Sequence, residues 1–537
     1  MDGSVSSEVG RSHDIYDLDG KNVALIYLMK PHEETSAVDI ENDIGELTSE
    51  LKKRGFEVKR KDYLDVSDLK EHLKHVATEV GNLTCLWVFV FTTRDIDNEC
   101  IQCLSGVIEL KQLWHPFTAE NCTRLFGAPK LFFVETITEE EDTEISLMNK
   151  LSGELKKDIV VKTLPASVDI MLALFKRHGK DLNKSMAYLI AKELESKPGP
   201  QNIFSIMSSL CGRRVTYAPR FTTTICKQLY LPKQMVSSDP AMTVAVETSL
   251  EQYAMSGKRV AYSFIFRDFL HDFKDDPLRG SYKDKITIEK AMKSMNFEYE
   301  DCNKNWKLTA DEMKAKLKEI AENKENADCV MIFVSTHGST RNGIEIYYAY
   351  EGCLPLSEIV RPFKESKGFR GKPKIFIVDA CRGSCKEKVA KKAVLHCKAN
   401  CFGTMNSEKR EPEKSDIKSK NAVSCMQYNM EVLEEIPNGS DILIGQATLR
   451  NMKAFHHSEK GSFYLQAFCN KLVNQSFSSN ILDVMVATND KISKFPETED
   501  FKKWIVTTVF TSSFRKICAL LKAESEAAPP TEEMECE

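Results

Sequence analysis

Two apolar runs in this chain recur at one fixed separation, and that recurrence limits the fold more than any other feature. CLWVFVFTTR at 85–94 resembles CVMIFVSTHG at 329–338, an offset of 244 residues. PKLFFV at 129–134 resembles PKIFIV at 373–378, and the offset is again 244. Chance can produce either match alone, whereas a shared offset marks a duplicated unit. The repeat extends outward with small gaps: GKNVA at 20–24 matches GKRVA at 257–261, and DIML at 169–172 matches DILI at 441–444. A chain of 537 residues is in any case too long for one ordinary core. The repeat divides it into an N-terminal tail (1–20), a first domain (21–232), a linker (233–256), a second domain (257–522) and an acidic tail (523–537). Both tails are expected to be disordered.

Each copy alternates short continuous apolar runs with helical periodicity. Ile40, Ile44, Leu47 and Leu51 share one face of a helix predicted over 39–54, with Gly55 as its stop. Thr309 and Glu312 make a capping box ahead of the apolar face Met313, Leu317 and Ile320. Such a pattern predicts an α/β fold in which strands of a mostly parallel sheet are covered on both faces. Between the second and third matched strands the offset grows from 244 to 272, so the second domain carries 28 extra residues there. They fall in 384–438, rich in Lys, Glu and Ser, which reads as an exposed loop open to proteolytic nicking.

In the second domain the run 330–334 leads into Ser335-Thr336-His337-Gly338, and the run 375–378 into Asp379-Ala380-Cys381-Arg382-Gly383. A crossover helix predicted over 356–367 makes these strands parallel, and ligands in such sheets bind beyond the carboxyl ends. His337 and Cys381, 44 residues apart, therefore meet at one sheet edge. An imidazole beside a thiol favours the nucleophilic thiolate and can return the proton to a leaving amine. The N–H groups of Gly338 and Cys381 are candidates for an oxyanion hole, with Arg382 and Gly383 shaping the turn.

STHG followed by ACRG after a buried strand resembles the caspases. PLRG at 277–280 resembles the family's large-subunit arginine motif, and GSFYLQ at 461–466 the start of its small-subunit helix. The resemblance implies two caspase-like domains, each a mostly parallel six-stranded sheet flanked by helices, packed as an intrachain pseudo-dimer. It implies a zymogen with a large-subunit part (257–383), a processing linker (384–438) cut at Asp416, and a small-subunit part (439–522). It also implies a cytoplasmic cysteine endopeptidase of programmed cell death, acting on protein substrates without cofactor or metal, with hetero- or homodimers of other caspases possible. At the offset of 244, His337 meets Thr93, Gly338 meets Arg94 and Cys381 meets Ile137, so the first domain reads as an inactive copy.

The substrate pocket departs from the family. There a P1 aspartate is held by two arginines and a glutamine. Arg279 fits the first arginine, His456 stands at the second, and Asp379 replaces the glutamine; Phe455 would line adjacent pockets. A carboxylate beside a substrate carboxylate is unfavourable unless one is protonated or Arg279 bridges them. The more distant metacaspases and paracaspases carry an aspartate two residues before the cysteine and prefer basic P1. Acidic P1 is set ahead because Arg279 remains, and basic P1 stays open. The rival reading is a decoy that heterodimerises with active caspases, against which the intact dyad argues.

Composition excludes other classes. A net charge of −5 gives no footprint for nucleic acid, and no basic run suggests a membrane surface. The polar first twenty residues lack a signal-peptide core, the longest apolar stretch (86–91) is too short to span a bilayer, and no recruitment domain is expected before Lys21. Seventeen cysteines without a secretion signal point to a reducing compartment. His396, Cys397, Cys401, Cys385 and Cys425 have no metal-knuckle spacing.

Overall fold

The computed structural model describes residues 15–29, 34–79, 83–92, 95–96, 100–118, 121–125, 127–138, 169–178, 185–197, 199–212, 219–232, 251–322, 326–341, 344–364, 366–383, 441–449, 452–474, 480–493 and 507–520. The apolar runs become strands that are almost wholly buried, because helices cover both faces of the sheet. The N-terminal half contributes β1 (Lys21–Leu28), β2 (Phe56–Asp62), β3 (Leu83–Thr92), β4 (Lys130–Thr138), β5 (Ile170–His178) and β6 (Arg220–Thr223). The C-terminal half contributes β7 (Arg259–Ile265), β8 (Glu298–Asp301), β9 (Cys329–Ser335), β10 (Lys374–Asp379), β11 (Ile442–Gln446) and β12 (Val509–Ser512). All twelve belong to one sheet, in the order β8-β7-β9-β10-β11-β12-β6-β5-β4-β3-β1-β2. Each half is parallel over five strands, and only β6 and β12 run antiparallel to their neighbours.

The halves join where β6 pairs with β12: Phe221 faces Ser512, Thr222 faces Thr511 and Thr223 faces Phe510. Phe221 and Phe510 occupy matching places, as do Thr222 and Thr511, so a pseudo-two-fold axis passes between the two threonines. Their hydroxyls lie 2.9 Å apart. Phe204 packs against both phenylalanines, with ring centroids 5.8 and 5.9 Å away. This is the intrachain pseudo-dimer that the resemblance implied.

The duplication persists at atomic detail. Asp169 and Asp441 both open a strand at positive φ, 70° and 65°. Asp169 accepts a hydrogen bond from Tyr16 and Asp441 one from Tyr253. Lys130 and Lys374 are both buried and donate to carbonyls of the preceding turn, Leu125 and Ala128 in one half, Phe369 and Lys372 in the other.

Local signals place the helices closely. The first helix, α1, spans Glu34–Lys53, beginning earlier than the predicted 39; Ile44, Leu47 and Leu51 are fully buried and Gly55 takes φ 80°. In the C-terminal half lie α2 (Ser281–Ser294), α3 (Ala310–Ala321), α4 (Leu356–Lys364), α5 (Phe463–Asn474) and α6 (Ile481–Ser493). The Thr309–Glu312 capping box opens α3 with both reciprocal bonds formed. The crossover helix α4 ends at Lys364, three residues short of the expected 367. No helix among the described residues is long and apolar enough to cross a membrane.

One difference between the copies bears on function. β10 stops at Asp379, while β4 runs three residues past the matching Glu135, with Thr136, Ile137 and Thr138 still paired to Lys176, Arg177 and His178. The chain turns in one half where it continues straight in the other.

Candidate active site

β9 and β10 run parallel and in register, ending with Ser335 opposite Asp379. Thr336 N–H then donates to the Asp379 carbonyl at 3.0 Å, holding the two strand ends together. His337 and Cys381 each follow two residues past that last pair, which places them at the same sheet edge. Gly338 is required there: a Cβ on it would lie 2.1 Å from the Cys381 carbonyl oxygen. Arg382 turns inward and is buried, bonding both Glu345 oxygens (2.9 and 2.6 Å) and the Thr448 carbonyl (3.0 Å). It thus ties the turn after Cys381 to the hairpin strand Ile344–Tyr348 and to the segment after β11. The sequence reading gave Arg382 only the shaping of a turn and missed Glu345.

The imidazole of His337 is gripped by its surroundings. Its Nε2 lies 2.8 Å from the Asp276 carbonyl, and the Asp276 carboxylate is 3.9 Å away. A carbonyl only accepts, so Nε2 carries the hydrogen and Nδ1 is the basic nitrogen. Phe273 stacks on the ring at 4.1 Å and 14°, with Phe269 at 4.9 Å. Burial lowers the His337 pKa, partly opposed by Asp276. Burial pushes the Cys381 thiol up, and its Sγ donates to the Ala454 carbonyl at 3.7 Å. Both groups are therefore uncharged at neutral pH in this state.

Beside His337 and Cys381 lies a buried polar cluster. Asp379 is 4% exposed; Oδ2 accepts from Ser335 at 3.1 Å, while Oδ1 is buried without a partner. Burial, with the charge of Asp284 added, pushes the Asp379 carboxyl up to about 6 against the opposing pull of His456, Ser462 and Ser335. His456 sits in a short strand, His456–His457, paired with Gly461–Ser462. Its Nε2 meets Asp284 Oδ2 at 3.0 Å, and Asp284 Oδ1 accepts from the Ser462 N–H at 2.8 Å. Burial opposes the charge on His456, but the Asp284 hydrogen bond and Asp379 carry its pKa upward. Gly461, at φ 84°, makes room, since a Cβ would lie 2.4 Å from Asp284 Oδ1.

Asp284 escaped the sequence reading, though a signal was present. On α2 it shares the buried stripe of Ser281, Ile288, Ala291 and Met292, and a carboxylate on a core stripe is rarely buried without a partner. Arg279 lies in the exposed turn before α2, and its guanidinium has no hydrogen bond or ion pair among the described residues. Its neighbour Gly280 packs on the His457 carbonyl and the Gly461 N–H, so Arg279 stands at the rim of this cluster. Phe455 is half-buried next to His456. Asp416, Thr93 and Arg94 lie outside the described residues, and Ile137 falls within β4. Glu135, matching Asp379, is buried and accepts from the Met186 N–H at a helix start.

A family model described as Caspase domain matches the chain twice, over residues 23–275 and 266–516. The chain belongs to the caspase-domain peptidase family, in tandem arrangement. Among curated relatives it is 24% identical to mouse caspase-6 over 249 residues, 45% of this chain and 81% of that protein. It is 25% identical to mouse caspase-8 over 289 residues, 49% of this chain and about half (52%) of that protein. The crystal structure of caspase-1 from Spodoptera frugiperda aligns with 54% of this chain and all of that chain, at 18% identity and a TM-score of 0.39.

Proposed function

We propose that the chain is a cysteine endopeptidase whose single active site is built by His337 and Cys381 of the C-terminal half. The observation that carries this reading is the in-register pair β9–β10, followed two residues on by His337-Gly338 after one strand and Cys381 after the other, with no space for a side chain at Gly338. His337 Nδ1 takes the thiol proton as Sγ attacks the substrate carbonyl, and the N–H groups of Gly338 and Cys381 hold the oxyanion. The imidazolium then protonates the leaving amine, and water hydrolyses the thioester. Arg279, free at the rim, supplies the cation for an acidic P1 side chain; Phe455 and His456 flank the pocket. The protein acts in the cytoplasm, in apoptosis, and is activated by a cut at Asp416.

The N-terminal half is proposed to be a dead regulatory copy. The unbroken pairing of β4 with β5 through Ile137 favours this, because a strand there leaves no turn to present a nucleophile. Its regulatory role is supported by packing. Leu449 and Met452 of the C-terminal half are buried in one cluster with Val90, Val134 and Leu172 of the N-terminal half. The Met452 carbonyl accepts from the Arg382 N–H at 2.8 Å, one residue from the thiol.

Cleavage of a P1 positional-scanning peptide library by the full chain, intact or nicked within 384–438, tests the reading. Cleavage that is lost in Cys381→Ala is expected. No cleavage in either form would leave the decoy reading in its place.

A further inference from the structure

On the peptidase reading, a pocket with two buried carboxylates, Asp379 and Asp284, has to accept an acidic side chain. Asp379 and Asp284 are opposed by one imidazolium, so with all three ionised the cluster is net negative and repels a P1 carboxylate. Asp284 has committed both oxygens, one to His456 Nε2 and one to the Ser462 N–H. Asp379 has committed one, to Ser335; the Ser462 side chain is near enough to favour its charge, but its other oxygen is buried and makes no hydrogen bond of normal geometry. A buried carboxylate oxygen without a donor is a costly arrangement unless it bears a proton or meets a ligand. We propose that Asp379 works in substrate selection as a neutral carboxylic acid, donating from its unpaired oxygen to the carboxylate of an acidic P1 side chain. Cleavage after Asp or Glu then requires a proton on Asp379.

The groups facing Asp379 support this. From α2 comes the Asp284 charge, which favours the proton; from the 456–462 hairpin come His456 and Ser462, and from β9 Ser335, which oppose it. From α5, Tyr464 feels the Asp379 charge, and its own hydroxyl is buried and unpaired. Cys381, on the same turn, is likewise disfavoured as thiolate when Asp379 is ionised. The balance leaves Asp379 titrating near pH 6, within reach of ordinary conditions. A basic P1 group fits less well: one acceptor oxygen is available to it, and the free guanidinium of Arg279 stands at the rim.

The test uses the full chain and two fluorogenic peptides that differ only in P1 Asp against P1 Asn. The ratio of their kcat/KM values, followed from pH 5.5 to 8, cancels the titration of the dyad. The ratio is expected to fall by up to about tenfold per pH unit above pH 6. In Asp379→Asn, which cannot ionise, it is expected to stay flat and to exceed the wild-type value at pH 7.5. A flat wild-type ratio, a fall that survives in Asp379→Asn, or a preference for P1 Arg or Lys over both peptides would overturn the proposal. Should Asp379→Asn fail to fold, Asp379→Gln, which cannot ionise either, carries the same comparison, and a fall that survives in it overturns the proposal. Absence of any Cys381-dependent cleavage is a different result: it removes the peptidase reading, and this proposal with it.

Discussion

At the residue scale, the dyad and its glycine make separable predictions. Gly338→Ala places a methyl group against the Cys381 carbonyl at 2.1 Å, so the strand ends must part. A loss of kcat on the order of 10²-fold or more is expected, as for removal of an oxyanion donor, with the melting temperature much less affected. His337 titrates below its ordinary range and Cys381 above its own, so a neutral pair prevails at pH 7. Alkylation of Cys381 by iodoacetamide should therefore keep accelerating to pH 9 and beyond, and a plateau near pH 7 would mean an ion pair instead. Asp379 carries a further consequence. Its folded pKa of about 6 lies above the unfolded value near 3.8, so the unfolded state binds fewer protons between these limits and stability falls as pH rises through them. Relative to its value at pH 3, the stability of Asp379→Asn over wild type should grow as pH rises and level off above pH 6, after a gain of at most about 3 kcal/mol in denaturant unfolding. That His337 and Cys381 meet at one sheet edge was legible in the sequence because each follows an apolar strand. Asp284, Ser335 and Ser462 were not, because polar residues reveal a shared pocket only once separate elements converge.

At the element scale, periodic signals translated directly. The capping box at Thr309 and the apolar stripe of α1 are local, and local energetics decided them. The lengths of α1 and α4 were less legible, since helix ends depend on packing as much as on propensity. The segment holding Leu449 and Met452 had no signature at all. Its role arises from packing on the other half and from the Met452 carbonyl beside the nucleophile's turn. Met452→Ala is expected to cost about 2–5 kcal/mol of stability, as other buried truncations do, and to lower kcat/KM for peptides at temperatures where the variant remains folded. Unchanged kcat/KM in the folded variant would uncouple this packing from the site.

At the scale of the whole molecule, the repeat offset gave the duplication and the caspase resemblance the pairing of two six-stranded halves, though neither showed that Thr222 and Thr511 would mark the axis. Since β6 and β12 consume each other's edges, a C-terminal half freed of its partner exposes β12 and the apolar face of Phe510. Isolated residues 257–537 are expected to lose most activity or to self-associate through β12, as read by sedimentation alongside peptide cleavage. Full activity as a strict monomer would rule out the partner role.

The pseudo-two-fold axis has a further consequence, one of inheritance. In a homodimer each codon writes both sides of the interface, so every change appears twice and must suit its own image. Here the two sides are written separately. Thr223 stands where the other half has Ser512, and Cys226 where it has Arg515, which bonds Asp441 through two nitrogens at 2.9 and 2.6 Å. A change on one side of the seam therefore never has to suit the other, and the two halves have diverged accordingly: β4 runs straight on through Ile137 where β10 stops at Asp379.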